Sequence, residues 1–327
     1  MRQVISVVFC VGTIILVCLT LISFSDYQSQ TFDIFDHLRL HYIICAGFAF
    51  FIFIWLRKTH WIALVLLVLF SNGYILYSSS LLTLAETKVR QGTKVIKLLN
   101  FNAYFRNNNS KAFLSYVNQE QPDLIVLEEF FEIRKDVIRS LKSQYKYSGP
   151  VFIKSENATT KIPNYIFIFS KFPFELKTFK HWNIGVRNPP IAHVEVKLGQ
   201  AKIDLMAVHM PWPYNAKLKA QGLEWLSEYL ETLTNPVLLV GDFNLTPWSD
   251  ALLKFTSENK LKKFGKFERS WPSQTADIYV PFAHFLIDHV FVRNSDKWKF
   301  HKHKFSAGPS IGSDHLPMMS KFSISRK

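Results

Sequence analysis

The chain has 327 residues and a formal net charge of +14, and 48% of its residues are hydrophobic, 15% aromatic and 20% charged. This apolar content excludes a disordered chain, and the length suits one large domain with a smaller segment beside it. All three cysteines, Cys10, Cys18 and Cys45, lie in apolar runs, which excludes a disulfide framework and a cysteine zinc site.

Charges are distributed unevenly along the chain. Residues 1–89 carry five basic and four acidic side chains, whereas residues 90–327 carry 34 basic and 21 acidic ones, a net charge of +13. A helix that crosses a bilayer needs roughly 20 mostly apolar residues. The first part contains three uncharged runs near this length, Gln3–Ser25, Leu40–Leu56 and Thr59–Ala85. They predict transmembrane helices at about residues 4–24, 40–56 and 61–82.

Two alternatives to spanning helices are a cleaved signal peptide, since Arg2 precedes the first run, and helices buried in a protein core. The first run is long for a signal peptide and two more follow it, so we favour three spanning helices. Arg57 and Lys58 lie between the second and third runs, and basic loops stay in the cytoplasm. We therefore expect residues 1–88 to anchor the protein in a bacterial inner membrane, with the chain after Ala85 on the extracytoplasmic side.

Ordinary α/β patterning begins at about residue 89 and continues to residue 327. Apolar residues on both alternations predict buried strands, and amphipathic stretches with capping residues predict helices. The predicted elements include a helix at Ser110–Gln121 with Ser110 as its N-cap and a helix at Ala216–Leu233. The predicted strands are Val95–Asn102, Asp123–Glu129, Tyr165–Ser170, Ile191–Lys197, Lys202–His209, Pro236–Gly241 and Ile287–Arg293. Strands dominate, which favours a sandwich of mixed sheets over a regular βαβ repeat.

Polar side chains stand where the apolar pattern of several of these strands stops. Any one of them alone is more typical of a cap or a solvated turn. Their recurrence along one domain favours a shared site, because a rigid sheet presents strand-end residues on one rim. The residues are Asn102, Glu128, Glu129, His209, Asp242, Asn244, Asp288, Asp314 and His315.

The motifs around these residues resemble those of the endonuclease/exonuclease/phosphatase family, the deoxyribonuclease-I-like phosphohydrolases. They are LLNFNAYF, DLIVLEEF, LMAVHMPWP, LLVGDFNLTPWS, IDHVFV and GSDHLP, in this order along residues 90–327. The layout with an apolar amino-terminal part is similar to the bacterial membrane-anchored members. This resemblance implies an α+β four-layer sandwich, two packed mixed β-sheets flanked by helices, and a divalent metal, usually Mg²⁺ with Mn²⁺ as an alternative.

The resemblance also implies which residues hold the metal. A site that hydrolyses a phosphate ester must neutralise charge and orient water, and Mg²⁺ prefers oxygen ligands. Glu129 is implied as the main ligand, with Asn102 and Asp314 in or beside the metal shell and Glu128 behind it. Tyr104 stands where the abasic-site endonucleases of the family carry an acid that helps the metal.

The remaining residues are implied in catalysis. Asp242 is expected to orient or deprotonate the attacking water, and Asn244 to hold the phosphate or that water. His315, paired with Asp288, and His209 are expected to donate hydrogen bonds to phosphoryl oxygens, because a carboxylate behind an imidazole favours its cation. We find no carboxylate partner for His209 in the sequence, and Leu286 stands where several relatives carry arginine.

Two basic stretches, Lys260–Lys266 and Lys297–Phe305, mix lysines with aromatic residues. One interpretation is a groove for polyanions, and the other, slightly favoured, is a solvated edge strand or loop.

We expect a membrane-anchored, metal-dependent phosphoesterase that uses in-line water attack, with nuclease-like activity favoured by the charge of +13. The alternatives are a phosphohydrolase of phospholipids, inositol phosphates or sphingomyelin, and an inactive polyanion-binding module. The expected partners are the bilayer and a polyanionic phosphate ester, and no obligate protein partner is inferred.

Overall fold

In a computed structural model of the chain, three long apolar helices precede two β-sheets. α1 (Arg2–Ile22), α3 (Arg39–Leu56) and α4 (Thr59–Leu81) are each long and apolar enough to cross a membrane. The four-residue helix α2 (Asp33–Asp36) lies directly before α3. The parts of the chain that the structure describes are residues 1–24, 33–130, 135–151, 166–180, 191–212, 216–276 and 284–327.

The three long helices pack on one another along a narrow apolar seam. Ala46, Phe53 and Val65 are buried in this seam. Large apolar side chains also point outward, and Phe51 and Phe70 are 70% and 72% exposed. A surface of this kind is compatible with a lipid environment, because soluble proteins rarely expose large contiguous apolar areas to water.

The rest of the chain forms twelve strands and four further helices within the described ranges. One sheet comprises β1 (Ile96–Asn102), β2 (Leu124–Glu128), β3 (Tyr147–Val151), β4 (Ile166–Ser170), β11 (Trp298–Ala307) and β12 (Met318–Arg326). The other comprises β5 (Phe174–Lys180), β6 (Ile191–Leu198), β7 (Ala201–His209), β8 (Val237–Asp242), β9 (Lys262–Lys263) and β10 (Asp288–Arg293). The helices are α5 (Ser110–Glu120), α6 (Lys135–Gln144), α7 (Ala216–Glu231) and α8 (Asp250–Glu258).

The two mixed sheets pack face to face. Their strand orders are β11-β12-β1-β2-β4-β3 and β5-β6-β7-β8-β10-β9. β1 pairs in parallel with β2, and β7 with β8, whereas the other named pairs are antiparallel. Leu98, Val126, Leu205 and Val240 are completely buried between the sheets. Helices α5 and α6 cover the outer face of the first sheet, and α7 and α8 that of the second. The expected four-layer α+β sandwich is thereby confirmed.

Most predicted elements occur with their ends shifted by one or two residues. The N-cap of α5 is a correction: the Asn109 side chain accepts a hydrogen bond from the Ala112 amide, so Ser110 is the first helical residue and not the cap. Tyr165, the predicted first residue of β4, lies outside the described residues. α2, α6, α8, β3, β5 and β12 have no counterpart among the predicted elements.

The two basic stretches include the edge strands β9 and β11, so the predicted edge position is found, but the predicted solvation does not extend to their inner lysines. Their inner lysines are buried: Lys263 donates to Ser79 Oγ at the end of α4, and Lys302 donates to the Phe264 carbonyl at 2.9 Å. Backbone bonds from Leu84 to Lys263 and from Thr87 to Lys302 continue the attachment. These stretches therefore hold the chain that leaves α4 against both sheets.

Candidate active site

Strand register places the predicted polar residues at one rim of the sandwich. In the second sheet, Asp242 at the end of β8 is paired with His209 on parallel β7 and with Asp288 on antiparallel β10. In the first sheet, Asn102 at the end of β1 is paired with Glu128 on β2. Parallel strands end at the same edge, and an antiparallel neighbour begins there. The rim therefore collects side chains from five strands.

Asp242 is the centre of this arrangement and is almost completely buried. Its Oδ2 accepts hydrogen bonds from Asn102 Nδ2 at 3.1 Å and from Asn244 Nδ2 at 3.2 Å, and its Oδ1 accepts from the Asn244 amide at 2.8 Å. The Nε2 atoms of His209 and His315 both lie 3.7 Å from Oδ2. Burial raises the pKa of Asp242 to about 6, although the charge of His315 opposes the rise.

His315 lies in the loop before β12, and its imidazole is buried against Asp288. His315 Nδ1 donates to Asp288 Oδ2 at 2.8 Å. Burial by itself lowers the pKa of His315, but the charges of Asp288 and Asp242 outweigh it and hold that pKa well above its usual value. These carboxylates therefore favour the protonated imidazole, whose Nε2 lies 3.7 Å from Asp242 Oδ2.

Glu129 is partly accessible, with 17% of its side chain exposed. Its Oε1 accepts from Asn102 Nδ2 at 3.3 Å, and its Oε2 accepts from the Phe105 amide at 3.2 Å. His209 Nε2 lies 3.6 Å from Oε1, so Glu129 and Asp242 are the carboxylates that the sequence analysis could not find for His209. Nδ1 of His209 has no hydrogen-bond partner among the described residues.

Asp314 precedes His315 in the loop that is bonded to the end of β1. Burial, together with the charge of Glu129, raises the pKa of Asp314, while the neighbouring His315 and a hydrogen bond from the Trp271 indole oppose the rise. Ser313 Oγ donates to the Asn102 carbonyl at 2.7 Å and accepts from the His315 amide at 3.0 Å. This serine joins the loop to β1.

The donor set fits a hard divalent cation. Glu129 and Asp314 are carboxylates that repel one another without a cation, and Mg²⁺ needs only one or two carboxylates because it keeps several waters. Asn102 directs its amide nitrogen at Glu129 and Asp242, while its amide oxygen accepts a hydrogen bond from the Tyr104 amide. Asp242, Asp288 and His315 also lie close enough to one another to hold an ion. His315 and Asp288, however, are hydrogen-bonded to each other through Nδ1 and Oδ2.

Glu128 takes a position that the sequence analysis described only as behind the metal. It is completely buried and neither carboxyl oxygen has a hydrogen-bond partner among the described residues. Burial and the charges of Asp288 and Asp242 raise its pKa well above the usual value. The charged form of Glu128 is therefore disfavoured by burial and by the neighbouring carboxylates Asp288 and Asp242.

Two supporting residues were missed by the sequence analysis. Ser313 stands inside the GSDHLP motif, so its place beside Asp314 was a usable signal. Trp271 is remote from the motifs in sequence and reaches Asp314 because the Ser273 amide bonds to the Asp314 carbonyl and the Leu316 amide to Ser270. No periodicity or motif indicates that pairing.

Comparisons with known proteins match this chain by family and by fold. A model of the Endonuclease/Exonuclease/phosphatase family matches residues 99–315. No curated protein sequence matches the chain significantly.

Solved structures match the two-sheet domain at low sequence identity. D. rerio TDP2, in complex with a single-strand DNA product, is 13% identical with a TM-score of 0.55, and the match covers 70% of this chain and 99% of that one. The human Nocturnin catalytic domain with a bound sulfate anion is 16% identical with a TM-score of 0.52, covering 71% and 95%. The endonuclease/exonuclease/phosphatase from Bacteroides vulgatus is 14% identical with a TM-score of 0.55, covering 71% and 100%.

Proposed function

Because the chain belongs to the endonuclease/exonuclease/phosphatase family, we propose that it is a membrane-anchored, divalent-metal-dependent phosphoesterase that hydrolyses its substrate by in-line attack of water. Hydrolysis of phosphate ester bonds is the activity of the family as a whole. The observation that carries the finer proposal is the position of Asp242, whose Oδ2 is surrounded by Asn102, Asn244, His209 and His315.

Asp242 is proposed to orient and deprotonate the attacking water. A general base works best when its pKa lies near the operating pH, and burial raises the pKa of Asp242 to about 6. The two Asn244 bonds to Asp242 hold the carboxylate in one orientation. One oxygen is thereby directed toward the space in front of the two histidines.

The histidines are proposed to stabilise the phosphoryl oxygens. Asp288 holds a proton on Nδ1 of His315, which leaves the Nε2 proton free for a phosphate oxygen. His209 presents its Nε2 between Glu129 and Asp242, at 3.6 and 3.7 Å. Fixed donors of this kind stabilise the charge that develops on a transferring phosphoryl group.

Glu129 and Asp314 are proposed to hold Mg²⁺, or Mn²⁺ in its place, with Asn102 beside them. The bound ion supplies positive charge that polarises the phosphate and neutralises the transition state. The Phe105 amide and the Trp271 indole orient the two carboxylates from behind. Such supporting bonds fix ligand geometry and are costly to remove.

The first 88 residues are proposed to anchor the domain of residues 89–327 in a bacterial inner membrane, on the extracytoplasmic side. The two-sheet domain contacts the ends of α3 and α4 marked by Arg39 and Ser79. Arg2 lies over the Trp55 ring at the opposite end of the bundle, near Arg57 and Lys58. The basic end and the catalytic end are thus separated by the length of the helices, which supports the orientation inferred from loop charge.

Two substrate classes are supported by different observations. The net charge of +13 and the single-strand DNA product bound to D. rerio TDP2 support a nucleic acid phosphodiester. Lys263 and Lys302 are buried and bonded to Ser79 Oγ and the Phe264 carbonyl, so two of the cations counted in favour of a nucleic acid are not accessible to one.

A phosphate ester carried by the membrane is the second candidate. His41, in the first turn of α3, packs on Phe285 with ring centroids 5.6 Å apart, and Phe285 stacks on Trp271 at 6.0 Å. Trp271 in turn donates to Asp314. The candidate metal site is thus two ring contacts away from the start of a predicted spanning helix, within reach of lipid headgroups.

A substrate panel tests the proposal. Full-length protein in nanodiscs is assayed with Mg²⁺ or with EDTA on plasmid DNA, single-stranded DNA, bis(p-nitrophenyl) phosphate, and vesicles with phosphoinositide or sphingomyelin. We expect Mg²⁺-dependent hydrolysis of at least one class, reduced about 10²- to 10⁴-fold in Asp242→Asn and His315→Ala. Asp296→Asn and His301→Ala, on the β10–β11 turn and edge strand β11, are matched controls. If the protein instead binds polyanions equally well with and without EDTA and hydrolyses none of the substrates, it is a binding module and not an enzyme.

A further inference from the structure

The loop that follows Asn244 is bonded to the membrane-anchor helices. This loop, residues 245–250, comprises the later part of the connection after β8 and the first residue of α8. The Thr246 amide donates to His37 Nδ1 at 3.2 Å, and the Trp248 indole donates to the His37 carbonyl at 3.2 Å. All three residues are buried. One residue between α2 and α3 thus receives two bonds from the loop beside the proposed water-activating site.

Three further contacts attach the same loop to the helix ends. Ser79 Oγ, near the end of α4, donates to the Pro247 carbonyl at 2.7 Å. The Asp250 amide donates to Asp36 Oδ2 at 3.2 Å. Arg39 Nη2 lies 3.2 Å from carboxylate oxygens of both Asp36 and Asp250. We call the residues Asp36, His37, Arg39 and Ser79 the clasp.

The clasp is more elaborate than tethering requires. Arg39 is completely buried, and a buried guanidinium is costly unless carboxylates and carbonyls satisfy it. A flexible linker would keep an enzyme at a membrane without any such group. The buried Arg39 guanidinium therefore fixes the position of residues 245–250, which tethering alone does not require.

The loop leads directly to the groups that carry the chemistry. Asn244 has a left-handed backbone with φ of 51°, its amide donates to Asp242, and its side chain donates to both Asp242 and the Met210 carbonyl. Asparagine adopts the left-handed conformation more readily than most residues, and here its bonds to Asp242 and Met210 hold it in one orientation. The His289 imidazole supports Leu245 from the sheet side, and the clasp supports Thr246 to Asp250 from the anchor side.

We propose that the clasp residues are positioning residues for catalysis, so that the anchor sets the geometry of Asp242 and Asn244 as well as the location of the enzyme. This inference rests on the proposed function, because its activity readout is phosphoester hydrolysis. Loosening the clasp lowers kcat more than it changes KM, since small misplacements of a reacting group slow the chemical step.

The test compares three variants of the full-length protein in nanodiscs. His37→Leu removes the acceptor for the Thr246 amide, whereas His37→Asn keeps an acceptor at a similar place. His60→Leu, an exposed histidine at the opposite end of the bundle, is the control. Two quantities are measured: kcat and KM for bis(p-nitrophenyl) phosphate with Mg²⁺, and hydrogen–deuterium exchange of the peptide that spans residues 242–250.

We expect His37→Leu to lower kcat about 10- to 100-fold with little change in KM, and to speed exchange of residues 244–250. His37→Asn should recover most of both quantities, and His60→Leu should match the wild type. Wild-type kcat in His37→Leu, or faster exchange without a loss of kcat, overturns the positioning role. If His37→Leu does not fold, Asp250→Asn replaces it, because this variant removes the charge of half-exposed Asp250 that pairs with Arg39.

The exchange measurement separates the two hypotheses. A wild type that hydrolyses nothing contradicts the proposed function. Exchange at residues 244–250 still shows in that case whether the clasp holds the loop, and unchanged exchange in His37→Leu contradicts the clasp whatever the substrate.

Discussion

Nδ1 of His315 donates a hydrogen bond to Oδ2 of Asp288 across 2.8 Å, and both side chains are buried. Asp288 begins β10 in one sheet and His315 precedes β12 in the other, so this bond joins the two sheets at the rim that carries the site. The carboxylate holds the imidazole in one orientation and favours its protonated form, with Nε2 facing Asp242. The position of the charge at the proposed site therefore depends on how the sheets pack.

Replacing Asp288 by asparagine should weaken catalysis and alter its pH dependence. The pKa of His315 is held well above its usual value by Asp288 and Asp242, so its cation persists above pH 6.5 and is lost as the pH rises through the raised pKa. Asp288→Asn lowers that pKa, and activity should then decline at a lower alkaline pH, with kcat/KM reduced about 10²-fold or more. Profiles of kcat/KM from pH 5 to 10 check this. An alkaline limb at the wild-type position would contradict the role of the pair, and Asp296→Asn is the control.

Glu129→Gln should raise the metal requirement. Loss of the accessible carboxylate removes the main proposed ligand, so half-maximal activity should need at least about 10-fold more Mg²⁺. EDTA should abolish wild-type activity and added Mg²⁺ should restore it. Glu258→Gln, an exposed carboxylate at the end of α8, should behave as the wild type. An unchanged Mg²⁺ titration in Glu129→Gln would assign the metal to other residues.

Gly241→Ala should destabilise the protein severely. Gly241 precedes Asp242 with φ of 144°, and an added Cβ would lie 1.9 Å from the Val208 carbonyl oxygen. Strain and overpacking together should cost at least about 3 kcal/mol of unfolding free energy. Gly149→Ala is the matched control, because its Cβ would meet only Phe174, at 3.8 Å. Thermal unfolding followed by circular dichroism should show a large decrease in stability for Gly241→Ala and almost none for Gly149→Ala.

His37 should make the stability of the clasp depend on pH. Burial, with a contribution from Lys219, lowers the pKa of His37 from 6.5 to about 3, so the folded protein keeps it neutral. Below pH 6.5 the unfolded chain binds a proton that the folded protein does not, and stability falls as the pH falls. Between pH 7.5 and 5.0 the free energy of unfolding of the wild type should fall by about 2 kcal/mol more than that of His37→Asn, whose side chain does not titrate.

Unfolding in detergent at the two pH values measures this difference. His37→Asn retains an acceptor for the Thr246 amide, so the two proteins should be similarly stable at pH 7.5. Equal losses in both proteins on acidification would show that His37 is protonated in the folded state.

The sequence by itself determined the fold class, the family and the set of polar residues at the rim. Buried strands are recognisable because apolar residues occupy both alternations, as at β1 and β2. Residues such as Asp242 follow such runs directly, so local pattern is enough to place them at strand ends. The three apolar runs were also readable, since length and charge are properties of a single segment.

Only the tertiary structure decided which of these residues meet. His37 bonds to Thr246 although 209 positions separate them, and Asn102 donates to Asp242 across 140 positions. No local periodicity encodes such pairs, because they depend on strand register and on the packing of the sheets and helices. The burial of Lys263 and Lys302 was unpredictable for the same reason. A lysine in a sequence is expected at the surface, and it is buried only where the packed structure supplies an acceptor for its ammonium group.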